Sequence, residues 1–220
     1  YTNEGLTNIG ASKTVAVSIN GAAAAATDDT DGGGQYTITG LTLTGGSILT
    51  LYVDGETEKA VTVTTGSGGS MTGVHLYQDR LIVRSGTGTH TSVGSPISSM
   101  MLDVANNNAD TDITGRYTNS SQNLTVAAGT RLYVWTGSTL SLGGTLAAST
   151  TGMHVEGNVL QGNNAVTVSG PYTQSGGTFR GSSGGSDIAM NSTYNLEGGT
   201  FISTTGTLTF STNTIIFSGG

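Results

Sequence analysis

The sequence predicts an all-β protein, a small antiparallel β-sandwich followed by a β-solenoid-like repeat region, on three observations. The 36 glycines in 220 residues, with abundant Thr, Ser and Asn and only two prolines, punctuate the chain with turns. The stretches between the turns are rich in Thr, Val, Ile, Leu and Tyr, which favour pleated strands. From Leu124 onward Gly-Gly pairs recur at near-regular intervals, the mark of a repeat architecture. Helix signals are nearly absent. Only 10% of residues are charged, far below the usual quarter or so, yet the chain carries more aliphatics and less net charge than a disordered tail.

Residues 1–70 read as the sandwich. Thr14–Ile19, Gln35–Thr39, Ile48–Val53 and Lys59–Val63 mostly alternate apolar with polar residues, a period of two that sets one face on a core and one in solvent. Asp31-Gly-Gly-Gly34 and Asp54-Gly55 supply turn chemistry between them. Thr30-Asp-Gly-Gly-Gly-Gln-Tyr-Thr-Ile-Thr-Gly-Leu41 resembles the hairpin of transthyretin-like or carboxypeptidase-regulatory-like sandwiches. That resemblance is confined to this N-terminal part and implies a module of a secreted protein. Thr64-Thr-Gly-Ser-Gly-Gly-Ser70 is a small-residue stretch of the kind found at a boundary or in a long loop. Residues 71–123 form a β-rich connection in which His75–Tyr77 and Arg80–Arg84 resume the strand pattern. Met100–Val104 fits a strand or one turn of helix, and Asn106–Thr114 reads as a polar loop.

Residues 124–220 read as solenoid-like coils. The Gly-Gly pairs at 143, 176, 198 and 219 are separated by 33, 22 and 21 residues, near multiples of eleven. They suggest a turn of roughly 20 to 25 residues. Strands such as Thr207–Phe210 and Thr214–Phe217 would stack apolar side chains coil on coil, with Gly and Ser at the corners. An antiparallel meander is the alternative. Ser175-Gly-Gly-Thr-Phe179 and Thr207-Leu-Thr-Phe210 resemble the degenerate repeats of very large bacterial or archaeal surface proteins, adhesins and autotransporter-like passengers. The resemblance implies an extracellular or cell-surface location.

Seven Lys and Arg against fourteen Asp and Glu, a formal charge of -7, argue against a nucleic-acid groove or an anionic membrane surface as partner. No apolar run reaches the length of a membrane span. The chain opens at Tyr1 without a methionine or an apolar leader, as a processed chain or a fragment would. Without cysteine there are no disulfides or thiolate metal sites, so stability outside the cell has to come from the sheet or from assembly.

No catalytic apparatus is legible, and the chain is expected not to be an enzyme. His75, His90 and His154 share no motif with Ser or Asp neighbours, and neither G-x-S-x-G nor H-E-x-x-H occurs. A β-helical polysaccharide lyase or hydrolase would need clustered acids and bases on one parallel face, where the repeats offer only Glu156, Asp187, Glu197 and Arg180. Asp28, Asp29 and Asp31 before Gly32 fit a polar hairpin turn better than a calcium loop, whose first ligand position is Thr27. Asp103, Asn107, Asp110 and Asp112 form a second oxygen-rich cluster, in which calcium would order a long loop. No other cofactor is implied.

The sequons at Asn119, Asn123 and Asn191 would accept glycans in an organism that attaches them. Lys13 and Lys59 are solvated lysines or partners in an isopeptide cross-link to a nearby Asn or Asp. Tyr133 and Trp135 share one face of the strand Arg131–Trp135, opposite Leu132 and Val134. With Tyr77, Tyr117 and Tyr172 they form either a platform for stacking sugars or part of the core. The chain ends on Ile215, Ile216 and Phe217 without a polar cap, and uncapped edges recruit further strand. Leu6 and Ile9 are the aliphatics of an N-terminal segment, which alternatively serves as a strand donated to a neighbour. The leading expectation is a structural subunit of an extracellular fibre, sheath or surface layer, a homopolymer joined through sheet edges. The alternative is a polysaccharide-binding adhesin module.

Overall fold

Short strands of alternating burial, separated by glycine-rich corners, wind the second half of the chain into a coil of three faces. The computed structural model describes residues 1–2, 4–85, 96–211 and 214–218. His90 lies outside the described residues. In order, the elements are β1 (Thr14–Ile19), β2 (Ala24–Asp29), β3 (Gly45–Val53), β4 (Val61–Ser67), β5 (Arg80–Val83), β6 (Ile97–Ser98), α1 (Ser99–Asn106), α2 (Thr111–Thr114), β7 (Tyr117–Ser120) and β8 (Asn123–Val126). The regular coils follow. They comprise β9 (Arg131–Val134), β10 (Thr139–Ser141) and β11 (Leu146–Ala148), then β12 (Met153–Val155), β13 (Asn158–Leu160) and β14 (Val166–Val168). The next are β15 (Tyr172–Gln174), β16 (Thr178–Arg180) and β17 (Ile188–Met190), then β18 (Tyr194–Leu196), β19 (Thr200–Ile202), β20 (Leu208–Phe210) and the last strand β21 (Ile215–Phe217).

Each coil gives one strand to each of three sheets, and every strand pairs in parallel with its counterpart one coil away. This register excludes the antiparallel meander. In sheet A the aligned positions Leu132, Met153, Tyr172, Tyr194 and Ile215 stand 19 to 22 residues apart, which sets the coil length. Sheets A and C turn the first and third residue of each central strand inward, as in Met153–Val155 and Val166–Val168, while sheet B turns in the middle one, as in Val159. Aromatic side chains stack between coils, with Tyr172 and Tyr194 at 5.1 Å and nearly parallel, and Phe179 and Phe201 at 4.9 Å. Tyr172, Tyr194 and Phe179 are fully buried and each contribute on the order of 1.5–3 kcal/mol, while Phe201 is only partly buried.

The corners explain the glycines. Gly177 has a φ of +60°, and a Cβ there would lie 1.8 Å from the carbonyl oxygen of Gly157 one coil below. Gly198-Gly199 repeats the arrangement a coil later, but Gly143-Gly144 occupies a different corner, between β10 and β11. The interval of 33 residues therefore joins two unlike corners and is not a coil period. Buried amides stitch the same corners. Gln174 donates to the carbonyls of Gly176, Gly177 and Thr200, and its Oε1 accepts the Tyr172 hydroxyl at 2.7 Å.

The N-terminal strands differ from the expected sandwich. β2, β1, β3 and β4 are antiparallel to one another but belong to sheet A, because β4 runs parallel to β5 and β5 to β9. The sheet thus continues across both expected boundaries, at 70 and at 123. No second sheet faces this layer among the described residues. Gln35–Thr39 and His75–Tyr77, expected as strands, are irregular. Their side chains Tyr36, Ile38 and Leu76 nonetheless pack with Leu41 and Val74 over Val15, Val17, Leu49 and Leu51. The opposite face, with Ala16, Tyr52, Val61 and Val63, joins the solenoid core through Leu102, Ala105, Ile113 and Tyr117.

Those last residues belong to a cap. The Met100–Val104 segment resolves as helix, since Ser98 accepts the Met101 N–H and Met-Met-Leu favours helix. The expected Asn106–Thr114 loop contains α2, capped by the Asp110 carboxylate. Together α1 and α2 cover the N-terminal end of the coil stack.

Candidate functional site

The aromatic residues singled out in the sequence sit on the outer face of sheet A. Leu132 and Val134 enter the solenoid core, so Tyr133 and Trp135 point the other way. They are nevertheless only 4% and 7% exposed. Tyr1, His75 and Tyr77 lie over them, with His75 stacked on Trp135 at 5.2 Å and Tyr77 edge-on to Tyr133 at 5.9 Å. Of the two alternatives, platform or core, the rings take a form of the second, a closed satellite core outside the coil but beneath the N-terminal segment. Tyr117 and Tyr172 belong to the main core. Burial raises the Tyr77 hydroxyl to about 12 and pushes Tyr133 higher still, with Glu156 as its neighbour.

Glu4 holds this cover down. Its Oε1 accepts from Arg80 Nε at 2.9 Å and from Arg131 Nη1 at 3.5 Å, and its Oε2 lies 3.5 Å from His154 Nδ1. The second ring nitrogen of His154 meets Ser175 Oγ at 2.9 Å. The His154 hydrogen bond, followed by Arg80, outweighs burial and lowers the Glu4 carboxyl to about 2. Burial lowers Arg131.

Asp103, Asn107, Asp110 and Asp112 do not form one ligand set. Asp110 and Asp112 instead meet Asp54, with oxygens within 4.8 Å of one another, while Asp103 stays outside the group and Asn107 caps the C-terminus of α1. Their lone pairs are already engaged: Asp112 by Lys59 and the Gly55 N–H, Asp110 by the Tyr52 hydroxyl and the Asp112 N–H. Calcium takes six to eight oxygens, and here an ammonium stands among three carboxylates. Asp28, Asp29 and Asp31 likewise spend their oxygens on Thr37, Thr14 and the N–H groups of Gly33 and Gln35, as a polar turn would.

Of the three sequons, Asn119 is buried, and its side chain donates to the Ser99 carbonyl at 2.7 Å, which corrects its reading as a glycan acceptor. Asn123 and Asn191 are exposed at corners. Glu156 and Glu197 lie at the ends of sheet A strands, Arg180 on sheet B and Asp187 at the corner before β17, where it accepts the Thr207 N–H. Arg180 and Asp187 therefore stand apart, whereas Glu156 lies 4.0 Å from His154 on the outer face of sheet A, where Arg131 and Glu197 also stand. The N-terminal layer and its irregular cover enclose a cavity of about 680 Å³, lined mainly by Val15, Val17, Ile38, Leu49 and Leu51.

The two ends of the solenoid are unlike. Among the described residues no strand pairs with the outer edges of β19, β20 and β21. Ile215 and Phe217 stand in the inward columns above Tyr194 and Leu196, yet are 44% and 71% exposed. Ile216 and Ile202 are each 41% exposed. Leu6 is 86% exposed, whereas Ile9 packs against the N-terminal core. The segment from Tyr1 to Gly10 forms no strand among its described residues and is fastened to its own chain through Glu4. No described helix is long and apolar enough to cross a membrane. No protein family, curated protein or solved structure matches the chain.

Proposed function

We propose that the chain is a structural subunit of an extracellular fibre, sheath or surface layer, and that its principal self-contact joins two copies through the open ends of their solenoids. The observation that carries this reading is a triangle of strand edges on β19, β20 and β21, unpaired among the described residues, around Phe217, Ile215, Phe210 and Phe201. Unpaired edges beside exposed apolar side chains recruit strand.

Three edges set around a triangle are matched by another triangle of edges, and the same end of a second copy supplies one. The contact is then isologous, related by a two-fold axis. Head-to-tail stacking of coils, the simplest route to a filament, is blocked by the helical cap. The remaining free edge of sheet A is β2, which carries Asp28 and Asp29, and like charges on an edge resist pairing. Cysteine-free composition, few charges and a Thr-rich surface suit such an extracellular element.

Sedimentation velocity over a range of concentrations tests the reading. The expected result is a dimer that becomes monomeric in Phe217→Glu and Ile215→Glu, with unchanged circular dichroism. A monomer at all concentrations, or a dimer indifferent to both substitutions, would overturn it.

A further inference from the structure

The turn between β3 and β4 meets the start of α2 at a close contact between an amine and a carboxylate. Lys59 Nζ lies 2.5 Å from Asp112 Oδ1. The other oxygen of the same carboxylate accepts the Gly55 N–H at 2.6 Å, and the Asp112 N–H donates to Asp110 at 2.8 Å, so the acceptor carbon is held on both sides. Asp54 stands beside it, with an oxygen within 4.8 Å of those of Asp110 and Asp112. Only 11% of the Asp112 side chain and 24% of that of Lys59 is exposed.

We propose that Lys59 and Asp112 condense into an intramolecular isopeptide bond that ties the β3–β4 turn to the helical cap of the solenoid. The parts the reaction needs are in place. An amine held against a carboxyl reacts as if at very high concentration, a backbone N–H on the non-leaving oxygen stabilises the negative charge that develops there, and a further carboxyl carries protons. Gly55 is that donor and Asp54 is that carboxyl. Burial and then the neighbouring Asp110 and Asp112 raise the Asp54 carboxyl from its ordinary value, which suits it to take and return a proton.

The atoms balance without any co-reactant. Asp54 takes one proton from the Lys59 ammonium, and the freed amine attacks Cγ of Asp112 to form the C–N bond. The C–Oδ1 bond breaks, and that oxygen leaves as water with two of the three ammonium hydrogens. The third remains on the amide nitrogen. One positive and one negative charge disappear together, and Asp54 ends as it began. The chain has no cysteine, and this bond would close the long loop between residues 59 and 112 as a disulfide closes one elsewhere.

The intact mass of the purified full-length chain decides the question. The expected mass is one water below that of the sequence, and a digest should yield a branched peptide joining the Lys59 and Asp112 segments. Lys59→Arg and Asp112→Ala should restore the full mass of their own sequences, and Asp54→Asn should leave most of the chain unjoined. Full mass in the unmodified chain overturns the proposal. So does a water loss that persists in Lys59→Arg, which would mark a succinimide at Asp54-Gly55 instead. The branched peptide is read from the unsubstituted chain, so the result does not depend on whether a variant folds.

Discussion

The N-terminal layer and the regular coils bury apolar side chains equally well by opposite means. In the coils one position is used again and again: Leu132, Met153, Tyr172 and Tyr194 form one inward column of sheet A, and each touches its equals above and below. In the N-terminal part every contact is used once. Tyr52, Leu102, Ile113 and Tyr117 come from four different elements and have no counterpart elsewhere in the chain. Repetition makes a stack whose stability is a sum over neighbours, but it supplies no ending. The cap closes one end of the stack with contacts that do not repeat.

The sharpest way to break this comparison is at a corner of the coils. Gly177→Ala would place a methyl group 1.8 Å from the Gly157 carbonyl oxygen in addition to straining a φ of +60°, and a loss of about 4 kcal/mol or more is expected. Gly185→Ala, also at positive φ but with nothing within 4 Å, should cost only about 1–2 kcal/mol. Equal losses in chemical denaturation would mean that the corners do not touch.

At the cap, Leu102→Ala empties a fully buried site and should cost about 3 kcal/mol. Phe217→Ala at the open end, 71% exposed, should cost under about 1 kcal/mol in the monomer. If the two were equal, the ends would be energetically alike. Gln174→Leu leaves the Tyr172 hydroxyl and the Thr200 carbonyl without their partner, and should lower the denaturation midpoint by the equivalent of about 1–3 kcal/mol.

The smallest effect concerns the N-terminal cover. The Glu4 pKa is lowered in the folded chain, from 4.5 to about 2, so its contribution is fully present above pH 4.5 and is lost as pH falls from there towards 2. The Glu4 side chain is partly exposed, and solvent screening keeps that contribution small. Trp135, the single tryptophan, lies beneath the cover. Its emission should shift across this acid range in the wild type and shift at neutral pH in Glu4→Gln. An unchanged spectrum in both would show that Glu4 is not what holds the segment down.

Much of this architecture was legible in the sequence, and the misses have physical causes. Glycine pairs and alternating strands announced the coils because corners and rungs are local. The 33-residue interval misled because a Gly-Gly pair serves any tight corner, whichever two faces it joins. Thr14–Ile19, Ile48–Val53 and most of Lys59–Val63 are strands as read, but Gln35–Thr39 alternates just as clearly and is irregular, because Tyr36 and Ile38 pack on the sheet without joining its ladder, and β2 was not anticipated. At the carboxylate cluster, Asp110 and Asp112 were found, while Asp54 was missed because it is distant in the chain. Glu4 was invisible for the same reason, since Arg80 and Arg131 reach it from far along the sequence. Trp135 was framed as either core or exposed, whereas the fold gives it a small core of its own.

The columns of the coil have one more consequence. At successive levels of sheet A the same inward place is filled by leucine, methionine, tyrosine, tyrosine and isoleucine, and the corners between them differ in length. A rung thus dictates size and polarity but seldom a particular amino acid. Such a chain can exchange most of its letters, coil by coil, without altering its shape, so its form is inherited more faithfully than its spelling.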